Sequence, residues 1–192
     1  LRFVGDARTR IAEDRLRMLR YCRFLPRFGE GGADPEAFEA ISAMATRVET
    51  LSGERIAREL RHLFAAPRPQ PGVQLLHDTG LDQAILELRL QPDALALLPP
   101  DNAVIAALAS KADLKWLVRL AACLDSNVIS DAGSGRDVAD RLAKRLRVSR
   151  AERRYLYSLC EGAAQISTGD HLAGHGWQRV AWFLHQAGGE PA

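Results

Sequence analysis

The feature that most constrains the fold is that no stretch of the 192-residue chain alternates apolar and polar residues over any length. Such alternation is typical of half-buried β-strands. Leu, Ala and Arg dominate instead, and aromatic residues make up only 6% of the chain. This composition favours helix. The sequence therefore predicts an all-α fold, an irregular multi-helix array, with one short extended segment at residues 1–4.

Turn and capping residues divide the chain into predicted helices. A glycine cluster at residues 29–32 ends a first helix that starts near residue 7 or residue 13 and continues to residue 28. Asp34 before Pro35, and Ser52 before the next apolar run, are typical helix starts, because their side chains accept hydrogen bonds from free backbone N–H groups. Further helices are predicted at residues 35–50, 53–66, 71–79, 81–88, 92–98, 101–109, 113–124, 136–147, 149–166 and 177–187, with loops at 126–135 and 169–176.

Three prolines lie close together at positions 67, 69 and 71. Proline fixes its backbone φ angle and cannot donate a main-chain hydrogen bond, so this segment forms a stiff joint. It predicts a boundary between two units, residues 1–66 and residues 71–192.

The charge of the chain is small in total but unevenly placed. The net charge is +2, which does not indicate a strong polyanion binder as a whole. However, residues 1–28 and residues 136–155 each hold eight basic residues against three carboxylates. Nearly all of the basic residues are arginines, which suit planar contacts to phosphates and base edges. The alternative explanation of this arginine bias is a genome rich in G and C.

Cysteines and hydrophobicity point to an intracellular protein. Cys22, Cys123 and Cys160 are far apart and odd in number, so they predict reduced core cysteines and no disulfide framework or zinc site. No apolar run reaches membrane-spanning length, and no signal-peptide pattern is present. We expect a cytoplasmic location and no membrane partner.

The predicted first helix carries one polar face that interleaves charges with aromatic residues. Asp14 and Arg17 are three residues apart, so on a helix they can lie side by side. A carboxylate acceptor beside a guanidinium donor matches the Watson–Crick edges of cytosine and adenine, whereas uracil and guanine place a carbonyl opposite the carboxylate. The alternative is an intrahelical ion pair without further function. The same face also presents Arg10, Glu13, Arg20 and Tyr21.

Two motifs resemble class II tRNA nucleotidyltransferases and bacterial poly(A) polymerases. The first is Val-Gly-Asp-x-x-x-Arg-Ile-x-Glu-Asp-x-Leu-Arg-x-Leu-Arg-x-x-Arg-Phe at residues 4–24, and the second is Leu-Ser-Gly-Glu-Arg-Ile-Ala-Arg-Glu-Leu at residues 51–60. The resemblance implies that Glu13, Asp14 and Arg17 pair with an incoming CTP or ATP, with Arg10, Arg20 and Tyr21 lining the same pocket. It also implies that three residues of the second motif brace the first helix, namely Glu54, Arg55 and Glu59.

The resemblance further implies a division of labour with a catalytic head. The chain has no initiator Met and no Gly-rich loop with paired metal-binding carboxylates, so we expect it to be the neck (residues 1–66) and the body and tail (residues 71–192) of a longer enzyme. The family adds CMP and AMP to RNA 3′ ends. Its Mg²⁺ ions belong to the head, so we expect no cofactor in this chain and no catalysis by it alone.

The body and tail are expected to bind tRNA or another RNA. The basic stretch at residues 136–154 supplies the candidate phosphate contacts, Arg136, Arg141, Lys144, Arg145 and Arg147. The alternative is a stand-alone helical RNA-binding or scaffold module that has no nucleotide pocket.

Other candidate residues favour structural roles. His171 and His175 have a helical metal-ligand spacing, but the surrounding glycines indicate a loop, so no metal site is predicted. Packing is favoured over RNA stacking for the tryptophans, Trp116, Trp177 and Trp182. His77 and Asp78 are interpreted as a polar pair at a helix end.

Overall fold

The computed structural model describes residues 1–48, 51–97, 114–124, 129 and 133–167, with backbone alone for 162–167. Within these residues every regular element is a helix, and the one β-type contact is an isolated bridge between Leu90 and Leu124. The prediction of an all-α array is therefore confirmed. Leu1–Val4 has no regular secondary structure, and Phe3 in this segment stacks on Tyr21 at 5.1 Å between ring centroids.

The α-helices of the described residues are α1 (Ala7–Glu13), α2 (Leu16–Phe28), α3 (Pro35–Met44), α4 (Gly53–Phe64), α5 (Gln70–Asp78), α6 (Leu81–Leu86), α7 (Lys115–Ala122), α8 (Gly135–Leu146) and α9 (Arg150–Ser167). Two 3₁₀ helices occupy Ala45–Val48 and Pro92–Leu97, where longer α-helices were predicted. The predicted helices at residues 101–109 and 177–187 lie outside the described residues, as does the predicted loop at 169–176.

A continuous first helix from residue 7 is wrong, whereas the alternative start near residue 13 is close to the observed start of α2 at Leu16. The chain leaves the helical conformation at Asp14, whose backbone is extended with φ −149° and ψ 106°. The Asp14 side chain then accepts a hydrogen bond from the Leu16 backbone N–H at 3.1 Å, which helps α2 to begin anew. Asp14 is therefore a junction residue between α1 and α2, and not a position on a helix surface.

Helix α4 lies at the centre of the described fold, because it packs against α2, α7 and α8. Its apolar face is fully buried and includes Ile56, Leu60, Leu63 and Phe64. Three of the described glycines allow neighbouring backbones to approach closely. A side chain at Gly53 would overlap the carbonyl oxygen of Arg145. In the same way, a side chain at Gly72 would overlap the carbonyl oxygen of Cys22, and one at Gly135 that of Cys160.

The proline joint is bridged by tertiary contacts. Helix α5, which follows the joint, packs on α2, and α7 packs on α4. The buried Arg119 of α7 donates hydrogen bonds to the carbonyl oxygens of Phe64 and Ala66 at the end of α4, at 2.5 and 2.7 Å. A cation in this position complements the negative end of the helix dipole. The two-unit division stays a prediction.

The cysteines and Trp116 belong to the core. Burial raises the pKa of the Cys22 thiol, and it raises the pKa of Cys123 and of Cys160 to about 12, so all three stay protonated and unreactive at neutral pH. Trp116 is 1% exposed, so its predicted packing role is confirmed. The other two tryptophans and both glycine-flanked histidines (Trp177, Trp182, His171 and His175) lie outside the described residues.

None of the described helices combines the length and the apolar character needed to cross a bilayer. The cytoplasmic location stays a prediction.

Candidate nucleotide-reading and RNA-binding sites

Asp14 forms an ion pair with Arg55 of α4. One guanidinium nitrogen of Arg55, Nη2, lies 3.2 Å from Asp14 Oδ1 and 3.3 Å from Oδ2. Arg55 reaches this position because Ser52 caps the start of α4, where its Oγ accepts a hydrogen bond from the Arg55 N–H at 3.4 Å. The pair joins α4 to the junction between α1 and α2. The bracing role of Arg55 stays a prediction.

Arg17 is held by α1. Glu13 Oε2 accepts hydrogen bonds from Arg17 Nη1 at 2.5 Å and from Arg10 Nη1 at 2.7 Å. Arg17 Nη1 also donates to the Arg10 carbonyl oxygen at 2.7 Å. The hydrogen bond from Arg17 lowers the pKa of the Glu13 carboxyl, and the nearby charge of Arg10 contributes further. Arg17 is thus fixed by two residues of the predicted nucleotide site.

Asp14 and Arg17 therefore have separate partners. The predicted alternative of an ion pair between them is not what the structure shows, because Asp14 pairs with Arg55 and Arg17 pairs with Glu13. Both side chains stay about one-third exposed. The base-reading role of the two residues stays a prediction, and the structure places them beside each other at the start of α2.

The other two residues of the predicted pocket differ in position. Arg20 is exposed on α2, one turn beyond Arg17. Tyr21 is only 4% exposed, and its hydroxyl donates to the Leu1 carbonyl at 2.7 Å and accepts from the Asp34 N–H at 3.1 Å. Tyr21 thus ties the N-terminal segment to the start of α3. The prediction that it lines the pocket is corrected, because packing of residues 1–4 covers this side of α2.

The other two predicted brace residues, Glu59 and Glu54, point in different directions. Glu59 is buried, and its Oε2 lies 2.8 Å from Arg23 Nε of α2, although this N–H does not point at the oxygen. Arg23 also stacks over the Phe24 ring at 4.1 Å. Glu54 pairs with Arg147 at 2.9 Å, so it is joined to the residue that follows α8 and its predicted role in bracing the first helix is corrected.

Four of the five predicted RNA-binding residues line one cleft, which we name the basic cleft. Its volume is about 430 Å³, and it lies between the start of α4, the end of α6 and the second half of α8. Its lining residues are Leu51, Ser52, Gly53, Leu86, Glu87, Arg141, Lys144, Arg145 and Arg147.

Arg136 does not line the basic cleft and belongs to a cluster between α8 and α9. Its guanidinium lies 5.3 Å from the centre of the Tyr157 ring. Tyr157 donates a short hydrogen bond to Asp140, which also accepts one from Arg153. These two hydrogen bonds, the one from Tyr157 first, lower the pKa of the Asp140 carboxyl. The cluster joins the two helices.

A polar cluster around Asp82 was not predicted from the sequence. The Asp82 side chain is completely buried, yet its two oxygens accept hydrogen bonds from Arg89 Nη1 at 2.8 Å and from the Leu90 N–H at 2.9 Å. His77 Nδ1 lies 3.4 Å from the same carboxylate. His77 is therefore joined to Asp82, whereas the adjacent Asp78 accepts from Gln74. The sequence signal was an apolar helix that carries a lone acidic residue in its first turn.

Comparisons with known proteins agree with this arrangement. Residues 33–90 match the family described as the probable RNA and SrmB-binding site of polymerase A. The segment contains the start of α4 and the whole Asp82 cluster. The human mitochondrial CCA tRNA nucleotidyltransferase 1 is 42% identical over 80 residues, and the CCA-adding enzyme of Lactobacillus johnsonii is 36% identical over 102 residues. Over these parts of its length the chain is therefore similar to CCA-adding enzymes and to the RNA-binding region of polymerase A.

The similarity covers part of each protein. The aligned residues make up 41% of this chain and 18% of the human enzyme, and 53% of this chain and 25% of the Lactobacillus enzyme. The CCA-adding enzyme of Geobacillus stearothermophilus is 37% identical over 82 residues, which are 43% of this chain and 20% of that protein. The chain thus matches at most a quarter of the length of these relatives, and the resemblance stated from its motifs is confirmed.

Proposed function

We propose that the chain is the base-reading and RNA-binding part of a template-independent nucleotidyltransferase that adds CMP and AMP to RNA 3′ ends. The names of the relatives, CCA-adding enzymes and a CCA tRNA nucleotidyltransferase, support this proposal. The observation that carries it is the pair of supports behind Asp14 and Arg17. Arg55 holds the first residue and Glu13 holds the second, while both stay partly exposed.

The two residues retain the hydrogen-bonding capacity that base reading requires. Both intramolecular bonds of the Arg17 side chain within the described residues use Nη1, which leaves Nη2 and Nε as donors. The Asp14 carboxylate accepts from Arg55 and Leu16, and a carboxylate has about four acceptor positions. An exocyclic amine of cytosine or adenine fits the carboxylate, and a ring nitrogen of either base fits Arg17.

We propose that catalysis and Mg²⁺ belong to a head domain of the parent protein. The described residues contain no group of three or more His, Cys, Asp or Glu side chains that could hold a metal ion. The described residues therefore do not fit a metal site. The chain's own part in the reaction is to orient the base through Asp14 and Arg17 and to hold the RNA.

A nucleotide titration tests the base-reading proposal. CTP, ATP, UTP and GTP are titrated in turn, and chemical-shift changes of the chain are followed by NMR. We expect CTP and ATP to bind more tightly than UTP and GTP by roughly tenfold, the range for a two-point base contact. Asp14→Ala is expected to remove this preference, and the control Asp93→Ala, at an exposed site in a 3₁₀ helix, to retain it.

The parent protein supplies the second measurement. We expect Asp14→Ala to lower kcat/KM for incorporation of CMP and AMP relative to UMP and GMP. Equal binding of all four nucleotides and unchanged incorporation in Asp14→Ala would exclude base reading by this site. RNA binding without any nucleotide preference would instead favour a stand-alone helical RNA-binding module.

A further inference from the structure

The basic cleft concentrates positive charge at a point where three helices meet. Four of its nine lining residues are cationic, Glu87 is the one carboxylate among them, and the apolar lining consists of Leu51 and Leu86. None of these nine side chains is aromatic. Arginine and lysine side chains around a narrow polar space suit an oxyanion such as a phosphate. The lining offers no flat surface on which a nucleotide base could stack.

The backbone around the cleft is unusual. In the described part of the chain, positive φ angles at residues other than glycine occur at Glu87, with φ 59°, and at Arg147, with φ 50°. Both residues line the basic cleft. Left-handed backbone disfavours side chains, and where it persists it often marks a functional position. At Arg147 it ends α8 and turns the guanidinium toward the start of α4.

The carboxylate of Glu54 lies beside the cleft and pairs with one of its lining residues. The Glu54 carboxylate accepts a hydrogen bond from Arg147 Nη1 at 2.9 Å. Its pKa is lowered first by a hydrogen bond from its own backbone N–H at the start of α4, and next by the one from Arg147. The Glu54 N–H and Arg147 therefore bind the Glu54 carboxylate. Glu54 is more than half exposed, so its side chain has room to turn into solvent.

We propose that the basic cleft binds a backbone phosphate of RNA, and that Glu54 is a competing anion which the phosphate displaces from Arg147. The inference rests on the RNA-binding part of the proposed function, and it assigns a specific place and a specific competitor to that binding. In the free protein Arg147 is paired with Glu54. When a phosphate enters, Glu54 turns to solvent and Arg147 and Lys144 contact the phosphate oxygens.

Fluorescence anisotropy with a short fluorescein-labelled RNA duplex, measured at several salt concentrations, tests the proposal. The variants are Arg147→Gln, Lys144→Gln and Glu54→Gln. The control is Arg8→Gln, which removes an exposed charge from α1, a helix that does not form the cleft. Lys144 is exposed, so its replacement is compatible with folding, and circular dichroism of each variant checks this.

The expected effects follow from counterion release. One phosphate contact contributes a factor of about eight to the affinity at 0.1 M salt, because the exponent per contact is about 0.9. We expect Arg147→Gln and Lys144→Gln each to weaken binding about eightfold and to reduce the salt slope by about one. Glu54→Gln is expected to strengthen binding, up to the same factor, and Arg8→Gln to change it by less than about twofold.

Other results would overturn the proposal. Wild-type affinity and salt slope in both Arg147→Gln and Lys144→Gln would exclude the cleft as a phosphate site. An equal loss in Arg8→Gln would show that net charge alone is responsible. Weaker binding in Glu54→Gln would contradict the role of Glu54 as a competitor.

Two further arms separate this proposal from the base-reading proposal. CTP in place of RNA should bind equally to wild type and Arg147→Gln if the cleft serves RNA, whereas a loss of CTP binding in this variant would assign the cleft to nucleotides. Asp14→Ala should bind the RNA duplex with wild-type affinity. Loss of nucleotide preference in Asp14→Ala is independent of the cleft. Absence of RNA binding in the wild type as well as in every variant would exclude the RNA-binding part of the proposed function.

Discussion

At the junction of α1 and α2, Asp14 and Arg17 are each paired with one oppositely charged residue, whereas four cations line the basic cleft and one of them, Arg147, pairs with an exposed carboxylate beside it. The partners at the junction are Arg55 and Glu13, at 3.2 and 2.5 Å. The carboxylate beside the cleft is that of Glu54, which is more than half exposed. Side chains held in place by ion pairs suit the recognition of one base edge. Cations that can exchange one anionic partner for another suit a backbone phosphate, which is present in RNA of any sequence.

The two regions meet in the first turns of α4. Arg55 extends from this helix toward Asp14, and Glu59, one turn later, contacts Arg23 of α2. Gly53 and Glu54 face the other way, toward Arg145 and Arg147. A single helix therefore supports both regions, and substitutions along it test whether the two act separately.

The largest expected effect is that of Glu59→Ala. Glu59 is 4% exposed, and its loss leaves Arg23 without its counter-charge in a mostly buried position. Removing one partner of such a pair costs about 3 kcal/mol of the free energy of unfolding. Urea unfolding measures the loss. The matched control is Glu39→Ala at an exposed position of α3, and a Glu59→Ala effect as small as that of this control would show that the pair is not a support.

Arg55→Gln should separate stability from base reading. The Arg55–Asp14 pair is partly exposed, so its removal is expected to change the free energy of unfolding by less than about 1 kcal/mol. The preference for CTP and ATP should nevertheless fall by roughly tenfold, because a misplaced Asp14 loses its contact to the base amine. Nucleotide titration measures the preference. Retention of full preference in Arg55→Gln, as in the control Arg58→Gln, would mean that Asp14 needs no support.

Arg147→Gly should stabilise the fold and weaken RNA binding. Glycine adopts the left-handed backbone at this position without steric cost, so we expect a gain of roughly 0.5–1 kcal/mol in the free energy of unfolding. The control Arg145→Gly lies in the last turn of α8 and is expected to lose about 1 kcal/mol. Thermal unfolding checks both. A destabilised Arg147→Gly would indicate that the pair with Glu54 outweighs the backbone strain.

The smallest effect concerns pH. The pKa of Glu13 is lowered by the hydrogen bond from Arg17, and the pKa of Glu54 is lowered by its own backbone N–H and then by Arg147. A carboxyl whose pKa is lower in the folded state contributes stability above its unfolded pKa, and this contribution is lost as the pH falls through the folded pKa. Both ion pairs should therefore persist at pH 5 and dissolve only below the usual Glu range of about 4.3. Carboxyl-detected NMR titration measures this, and Arg17→Gln should raise the pKa of Glu13 while that of Glu54 stays the same.

Local sequence signals predicted much of the fold. Asp34 with Pro35, Ser52, and the glycines after Phe28 mark helix ends that the structure confirms. The break at Asp14 was missed because its residue type is compatible with a helix surface. Only the hydrogen bond from Leu16 and the ion pair with Arg55, 41 residues away, show that the chain turns there.

The site was less predictable than the fold, because its contacts join distant segments. The partner of Glu54 is 93 residues away, and the hydroxyl of Tyr21 is held by Leu1 and Asp34. Helical periodicity places a residue on a face but does not show what covers that face. The motif order identified Asp14, Arg17 and Arg55 as a group, while only the packing of α4 shows how Arg55 reaches Asp14.

The three close glycine contacts also limit where the chain can change in length. Gly53, Gly72 and Gly135 lie in the first turns of α4, α5 and α8, and each packs against the backbone of a neighbouring helix. An inserted or deleted residue next to any of them shifts a side chain into that contact. Residues 30–32 after α2 are exposed, and a side chain at Gly31 or Gly32 would meet no atom within 4 Å. Insertions and deletions among natural homologues, and sites for fusing a reporter domain, should therefore fall at residues 30–32 and avoid the starts of α4, α5 and α8.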